Sequence, residues 1–309
     1  MRVAVFADIE GSFGIWRMRQ CKTGTGEWQY GRECLTEDVN RVIKGAFDAG
    51  AKSVVVKDTH DTGFNCIRKS LDPRAEYIGG HFIKPTFFGD VLNCDLGLYV
   101  GIHAASGTEG AFFPHTHFGI FSEVLINGRV VSEMDVYGGY LGEFGIPVGF
   151  VSGEDIAIKQ ATESLPWAES VVVDKKKEAY TSGEKSVKYL KKGRRQLEEK
   201  AAVAVENISR MKPLILEGPL HFEVTFRTEK LLRKYNSWNF PRNDLTVEWK
   251  SKNMIEGFDN FNKLTFFPKK VYPVRRQLLF LMRGYYRINN GYLHPKPSRE
   301  GAVKLSDVP

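Results

Sequence analysis

The chain has 309 residues, 42% of them hydrophobic and 26% charged, with 44 Lys and Arg against 37 Asp and Glu. That length buries a substantial core, and no uninterrupted apolar stretch reaches the ~18 residues of a bilayer-crossing helix, so no transmembrane segment is expected. The formal charge of +7 is local: nine Lys and Arg against Glu300 and Asp307 fall between Lys269 and Pro309, which leaves the first 268 residues neutral and argues against a basic body that grips nucleic acid.

In chain order, residues 2–7 read as a strand and the Gly-rich, aromatic stretch 12–35 as a long loop. Thr36 is the expected cap of a helix with Val39, Val42, Ile43, Ala46 and Phe47 at helical spacing, closed by Gly50. Ser53–Val56 follows as a strand, so strand, helix and strand imply parallel pairing. A third strand is expected at Leu96–Gly101. Residues 119–126 and 129–132 flank Asn127-Gly128, a hairpin signal. Residues 138–144 read as a short helix, 146–151 as a strand, Asp155 as a cap of a helix to about Glu163, and 170–173 as a strand. A charged, exposed segment then leads into a helix ending near Met211.

The expected class is α/β, with a mostly parallel sheet and flanking helices over residues 1–211 and a smaller α+β unit over 212–266. Asn253–Phe261 reads as a short helix within that unit, and 267–309 as a basic extension without an assignable fold. Cys21, Cys34, Cys66 and Cys94 show no C-x-x-C or zinc-finger spacing and read as buried thiols of a reducing compartment. No signal-peptide pattern precedes the first strand, so the expected location is the cytoplasm, without membrane contact.

Ligands of open α/β sheets bind beyond the carboxyl ends of the strands. There the sequence places Asp8 and Glu10, Asp58-Thr59-His60, His103, and, at the end of the hairpin's return strand, Glu133 and Asp135. Asp8 and Glu10, two apart, share a face and repel unless a cation lies between them. Asp, Glu and His together suit Zn2+, Mn2+ or Co2+. Five or more donors exceed one tetrahedral zinc, so two ions sharing a carboxylate are expected. His115 and His117, in an H-x-H loop, are candidates for ligation or proton transfer. Walker A, dinucleotide, H-E-x-x-H and G-x-S-x-G motifs are missing from the sequence.

Asp8-Ile9-Glu10-Gly11, Asp58-Thr59-His60, Gly101-Ile102-His103-Ala104, His115 and Glu133, in this order, resemble the DppA-type D-aminopeptidases, a family of binuclear zinc metallopeptidases. Gly149–Asp155 and Asn253–Glu256 match more weakly, and the resemblance ends near residue 264. It implies zinc ligands at Asp8, Glu10, His60, His103 and Glu133, with Asp8 bridging, and a catalytic histidine at His115. Because one extra residue separates His103 from His115, His117 remains the alternative. The resemblance also implies a self-compartmentalising homodecamer with its sites facing an internal channel. Where the family has a Lys and a Ser-Arg pair, this chain has Asp174–Thr181, so that Lys175, with His117, is the candidate for substrate binding.

The expected activity is removal of N-terminal residues from short peptides containing D-amino acids. A metal-activated water would attack the amide, with His115 moving the proton and Glu10 or Glu133 holding the substrate ammonium. Two rivals stand beside it: a metal-dependent amidase acting on a non-peptide amide, and a protein whose basic tail binds RNA or an acidic partner. Of these partners, nucleic acid is the less expected.

Overall fold

β1 (Arg2–Ala7) sends Val3, Val5 and Ala7 into one hydrophobic cluster and Ala4 and Phe6 into another. Alternation along a strand gives it two faces, and both are covered here, as in parallel sheets generally. The computed structural model describes residues 1–80 and 88–289. After β1 come α1 (Gly26–Asp48), β2 (Ser53–Asp58), β3 (Glu76–Ile78) and β4 (Leu96–Ile102). The hairpin β5 (Phe121–Ile126) and β6 (Arg129–Val130) precedes α2 (Glu133–Gly142), β7 (Val148–Gly153), α3 (Asp155–Ser164) and β8 (Glu169–Val172). α4 (Glu178–Thr181) and α5 (Glu184–Glu206) lead to β9 (Leu220–Phe226), α6 (Glu229–Tyr235), β10 (Arg242–Asn243) and β11 (Thr246–Ser251). α7 (Met254–Thr265) and α8 (Arg275–Asn289) complete the described chain.

A six-stranded sheet has the order β3-β2-β1-β4-β7-β8 with every neighbouring pair parallel. α1 and α5 cover one face; α2, α3, α7 and a second sheet cover the other. The second sheet is antiparallel, in the order β10-β11-β9-β5-β6. The expected α/β class is borne out. The strands within 212–266 share this sheet with the hairpin, and Phe222, Phe258 and Met134 lie in one core. No helix among the described residues is long and apolar enough to cross a membrane.

Several local expectations are corrected. α1 starts at Gly26, where Thr25 Oγ1 accepts from the Trp28 amide, and not at Thr36. Its apolar stripe extends back through Trp28, but buried Arg32 occupies a core-facing position and breaks the pattern. Much of the supposed exposed segment before Lys200 is helical, because α5 buries Leu190, Leu197 and Ala201 against α1. Strand β3 gave no clear sequence signal, and α8 occupies part of the tail. Residues 290–309 of the proposed basic extension lie outside the described residues.

The hairpin turns where expected, Asn127 and Gly128 both having positive φ (53° and 73°) as a two-residue primed turn requires. Its return strand, however, stops at Val130. Glu133 and Asp135 lie in the first turn of α2, whose cap is Ser132. The hairpin belongs to the second sheet, so Glu133 reaches the site from a helix N-terminus and not from a strand end.

Candidate metal centre

β1 and β4 are sheet neighbours whose chains run on in different directions, β1 towards β2 and β4 into the second sheet. Such a switch point opens a crevice at the strands' carboxyl ends. Gly101, at φ +84°, lets the two ends meet there: a Cβ on it would collide with the Asp8 carbonyl oxygen. The Gly11 amide donates to the Gly101 carbonyl at 2.8 Å and ties the Asp8–Glu10 turn to β4.

This closure gathers six of the predicted residues. Asp8 Oδ1 lies 3.1 Å from His60 Nδ1, and Asp8 Oδ2 lies 3.4 Å from His103 Nε2. Glu10 Oε2 is 2.9 Å from His60 Nδ1, and Glu133 Oε1 is 3.5 Å from His103 Nε2 and 3.7 Å from His115 Nε2. The donor atoms form two groups, each within 4.8 Å: Asp8, Glu10 and His103, and His103, His115 and Glu133. His103 and His115 stack face to face with centroids 3.9 Å apart.

Three imidazoles are oriented in the same way. His60 Nε2 pairs with the Cys21 carbonyl at 2.9 Å, His103 Nδ1 with the Ala104 carbonyl at 3.2 Å, and His115 Nδ1 with the Phe113 carbonyl at 3.0 Å. A carbonyl only accepts, so each contact fixes the proton on that nitrogen. The other nitrogen is left to face the carboxylates. This is how metal-ligating histidines are held, and no sequence spacing announces it, because the partners are backbone atoms.

The electrostatics point the same way. Glu10 is fully buried, and among the described residues its carboxylate oxygens face no donor but His60 Nδ1, 2.9 Å from Oε2; His103 Nε2 is likewise buried, with only carboxylates 3.4 and 3.5 Å away. Burial, followed by Glu10's charge, pushes Asp8 up to about 7. Burial also opposes ionisation of Glu10, but the charge of His60 outweighs it and holds Glu10 at about 2. Against burial, Glu133 raises His103 to about 10. Burial and the charge of His103 lower His115 to about 4. Buried carboxylates crowded together with imidazoles, beside orphaned ligand atoms, fit a cation.

Other predicted residues do different work. Asp135 turns back to accept from the Ser132 amide and Arg129. Asp58 accepts from the Cys66 amide at 2.7 Å and shapes the loop after His60. His117, at φ +64°, packs its ring among Phe258, Phe261 and Phe266, with Nε2 3.2 Å from Thr265 Oγ1. Lys175 does not line the cavity: its ammonium donates to the Ser12 carbonyl at 2.8 Å and caps the Asp8–Glu10 loop from behind.

A cavity of about 500 Å³ opens over the cluster, lined by Asp8, Glu10, His60, His115 and Glu133 with an apolar wall that includes Met18, Phe113, Phe118, Tyr137 and Phe266. Two contributors went unread in the sequence. Tyr137 stands one turn along α2 from Glu133. Glu154 accepts from the Ala104 amide at 3.3 Å and the Phe112 amide at 2.6 Å, pinning both ends of the segment between His103 and His115.

A carboxylate–imidazole cluster at the switch point of a parallel sheet, under a half-apolar cavity, defines a metal-dependent hydrolase. The family model described as D-aminopeptidase matches residues 1–262, and the chain belongs to that family. A D-aminopeptidase of Bacillus subtilis (strain 168) is 28% identical over 265 residues, 84% of this chain and 94% of its own length. The fold is similar, at a TM-score of 0.75 and 24% identity, to a solved structure covering 87% of this chain and 98% of its own. That structure is the Zn-dependent D-aminopeptidase DppA from Bacillus subtilis, described as a self-compartmentalizing protease.

Proposed function

We propose that this chain is a zinc aminopeptidase that releases the N-terminal residue of short peptides containing D-amino acids. The observation that carries the reading is the common orientation of His60, His103 and His115, each pinned by one ring nitrogen to a backbone carbonyl with the other facing Asp8, Glu10 or Glu133. Asp8, Glu10, His60, His103 and Glu133 would hold two zinc ions. Asp8, whose two oxygens face different histidines, would be the residue able to serve both ions, whereas an imidazole nitrogen has a single lone pair and serves one. When bound, zinc polarises a carbonyl and makes water a stronger nucleophile near neutral pH.

The chain's own groups supply the rest. His115, neutral at physiological pH because burial depresses it, is able to accept a proton at Nε2 and return it to the leaving amine. Glu133 Oε1 accepts the His117 amide at 2.7 Å, so His117 orients that carboxylate through its backbone. Glu133, at the cavity surface, is better placed than fully buried Glu10 to hold the substrate ammonium. Phe113, Phe118 and Phe266 receive an apolar side chain and exclude water. Lys175–Thr181, where the sequence departs from the family pattern, is absent from the cavity lining, which favours the peptidase reading over the non-peptide amidase.

By its likeness to a self-compartmentalizing relative, the working form would be a homo-oligomer, which we take as a decamer located in the cytoplasm. The test is elemental mass spectrometry of protein purified without chelator, joined to hydrolysis of paired D- and L-Ala p-nitroanilides. Two zinc ions per chain and D-selective release are expected. Metal without hydrolysis of either enantiomer would overturn the peptidase reading, and a chain that takes up no zinc on reconstitution would overturn the metal centre.

A further inference from the structure

α8 lies beyond the family match, and among the described residues one side of it packs on the body. Tyr286 stacks on Phe64 with centroids 5.9 Å apart, and Arg283 lies over Gly80. The opposite side carries Leu278, Leu281, Tyr285 and Ile288, in line with Val274 of the turn just before the helix, all between 39 and 72% exposed. Their spacing is four, three, four, three, the repeat that keeps an apolar seam facing a second helix. An apolar stripe of this length on the surface of a soluble chain marks a contact site.

We propose that this seam is an interface between two copies of the chain, α8 against α8 about a twofold axis near Leu281. Charge decides the occupant. α8 carries four arginines and no acid, so self-pairing fails if they flank the seam. Only one does: the flanking positions are Arg275, Gln277, Met282 and Gly284. Arg275 is folded onto Tyr272, its guanidinium 3.5 Å from the ring centroid and donating to the Tyr272 carbonyl at 2.6 Å. Positions 276, 283 and 287 lie away from the seam by helical register. Two seams therefore meet without like-charge contact. An anionic bilayer would instead favour cations along the flanks, and nucleic acid, which stacks on aromatic rings, has little use for a seam that is aliphatic at every position but Tyr285.

Paired four-turn seams bury on the order of 1,000 Å² in total, enough for a reversible specific contact. An isologous contact sets residue i against j and j against i, and only a residue on the twofold axis meets its own mate, so position 281 meets position 281. Arg276, on the far side, does not meet its mate. Phe64 and Gly80, on which α8 rests, follow the loop of Asp61, part of the cavity rim. The pairing would bring a second copy beside the entrance to the site.

The experiment uses the full chain. Leu281→Cys is compared with Arg276→Cys under mild oxidation, the four native cysteines being buried, and Leu278→Glu/Leu281→Glu is compared with wild type by sedimentation velocity. Disulfide-linked dimers are expected from Leu281→Cys alone, with at least a twofold fall in assembly mass for the double variant. Circular dichroism and peptide hydrolysis should stay at wild-type levels, which separates this contact from the hydrolytic reading. Cross-linking at 281 no greater than at 276, or an unchanged mass, would overturn the proposal. So would seam-dependent binding to phosphatidylglycerol vesicles or to single-stranded RNA without a change in mass.

Discussion

Asp8→Asn separates what the cluster does for a cation from what it does to the chain alone. Asp8 stands between His60 and His103, and in protein stripped by chelator its carboxyl lies near 7 instead of 3.8, raised by burial and then by Glu10. That displacement corresponds to about 4 kcal/mol. A raised carboxyl favours the folded state while protonated, so its contribution is complete below 3.8 and is lost as pH rises through about 7. Asn is neutral throughout and nearly the same shape. At pH 8 the chelated variant should exceed chelated wild type in stability by about 2–4 kcal/mol, and the gain should vanish by pH 4. At roughly 2 °C per kcal/mol for a chain of this size, Tm rises by about 4–8 °C. With zinc the order reverses, since ligand binding stabilises only the chain that binds. Calorimetry at both pH values, with and without chelator, together with metal analysis and D-Ala p-nitroanilide hydrolysis, measures all of this. A variant that keeps two ions and its turnover refutes the bridge. A chelated variant less stable than wild type at pH 8 refutes the electrostatic reasoning.

His115→Ala is expected to retain both ions while turnover falls by about two to four orders of magnitude; metal loss would make His115 a ligand, and unchanged turnover would move its role to His117. Arg194→Ala leaves Asp38, which accepts from Arg194 Nε at 2.9 Å and from the Phe13 amide at 2.7 Å, as an unpaired buried charge. Urea denaturation should show a loss of about 3–5 kcal/mol, and a loss below 1 kcal/mol would mean the pair is not desolvated. Gly101→Ala adds a Cβ against the Asp8 carbonyl at positive φ, so soluble protein, if obtained, should bind zinc at least about tenfold more weakly. Wild-type affinity in that variant would show that the two strand ends do not need to touch.

Much of the site was legible because ligand chemistry limits residue choice. Asp8, Glu10, His60 and His103 follow strands marked by short β-branched runs, and ligands of parallel sheets collect at that edge. Glu133 was found for the wrong local reason. The return strand ends early, and Ser132 starts a helix with a capping box that the short Gly-rich stretch concealed. The start of α1 was hidden by a charged residue at a core position: Arg32 donates to the Asn65 carbonyl at 2.9 Å, a partner 33 residues away.

By itself, the sequence determined the parallel-sheet class, the order of the main strands, and the residue types that meet at the sheet edge. Periodicity, turn residues and chemistry-bearing side chains are local and leave their mark in spacing. The tertiary structure alone decided which nitrogen of each histidine faces the carboxylates, that Asp135 and Lys175 turn to structural work, and that β5, β6, β9, β10 and β11 form one sheet. Those outcomes depend on backbone carbonyls and on contacts between segments far apart in the chain, and a backbone carbonyl has the same chemistry whatever residue carries it.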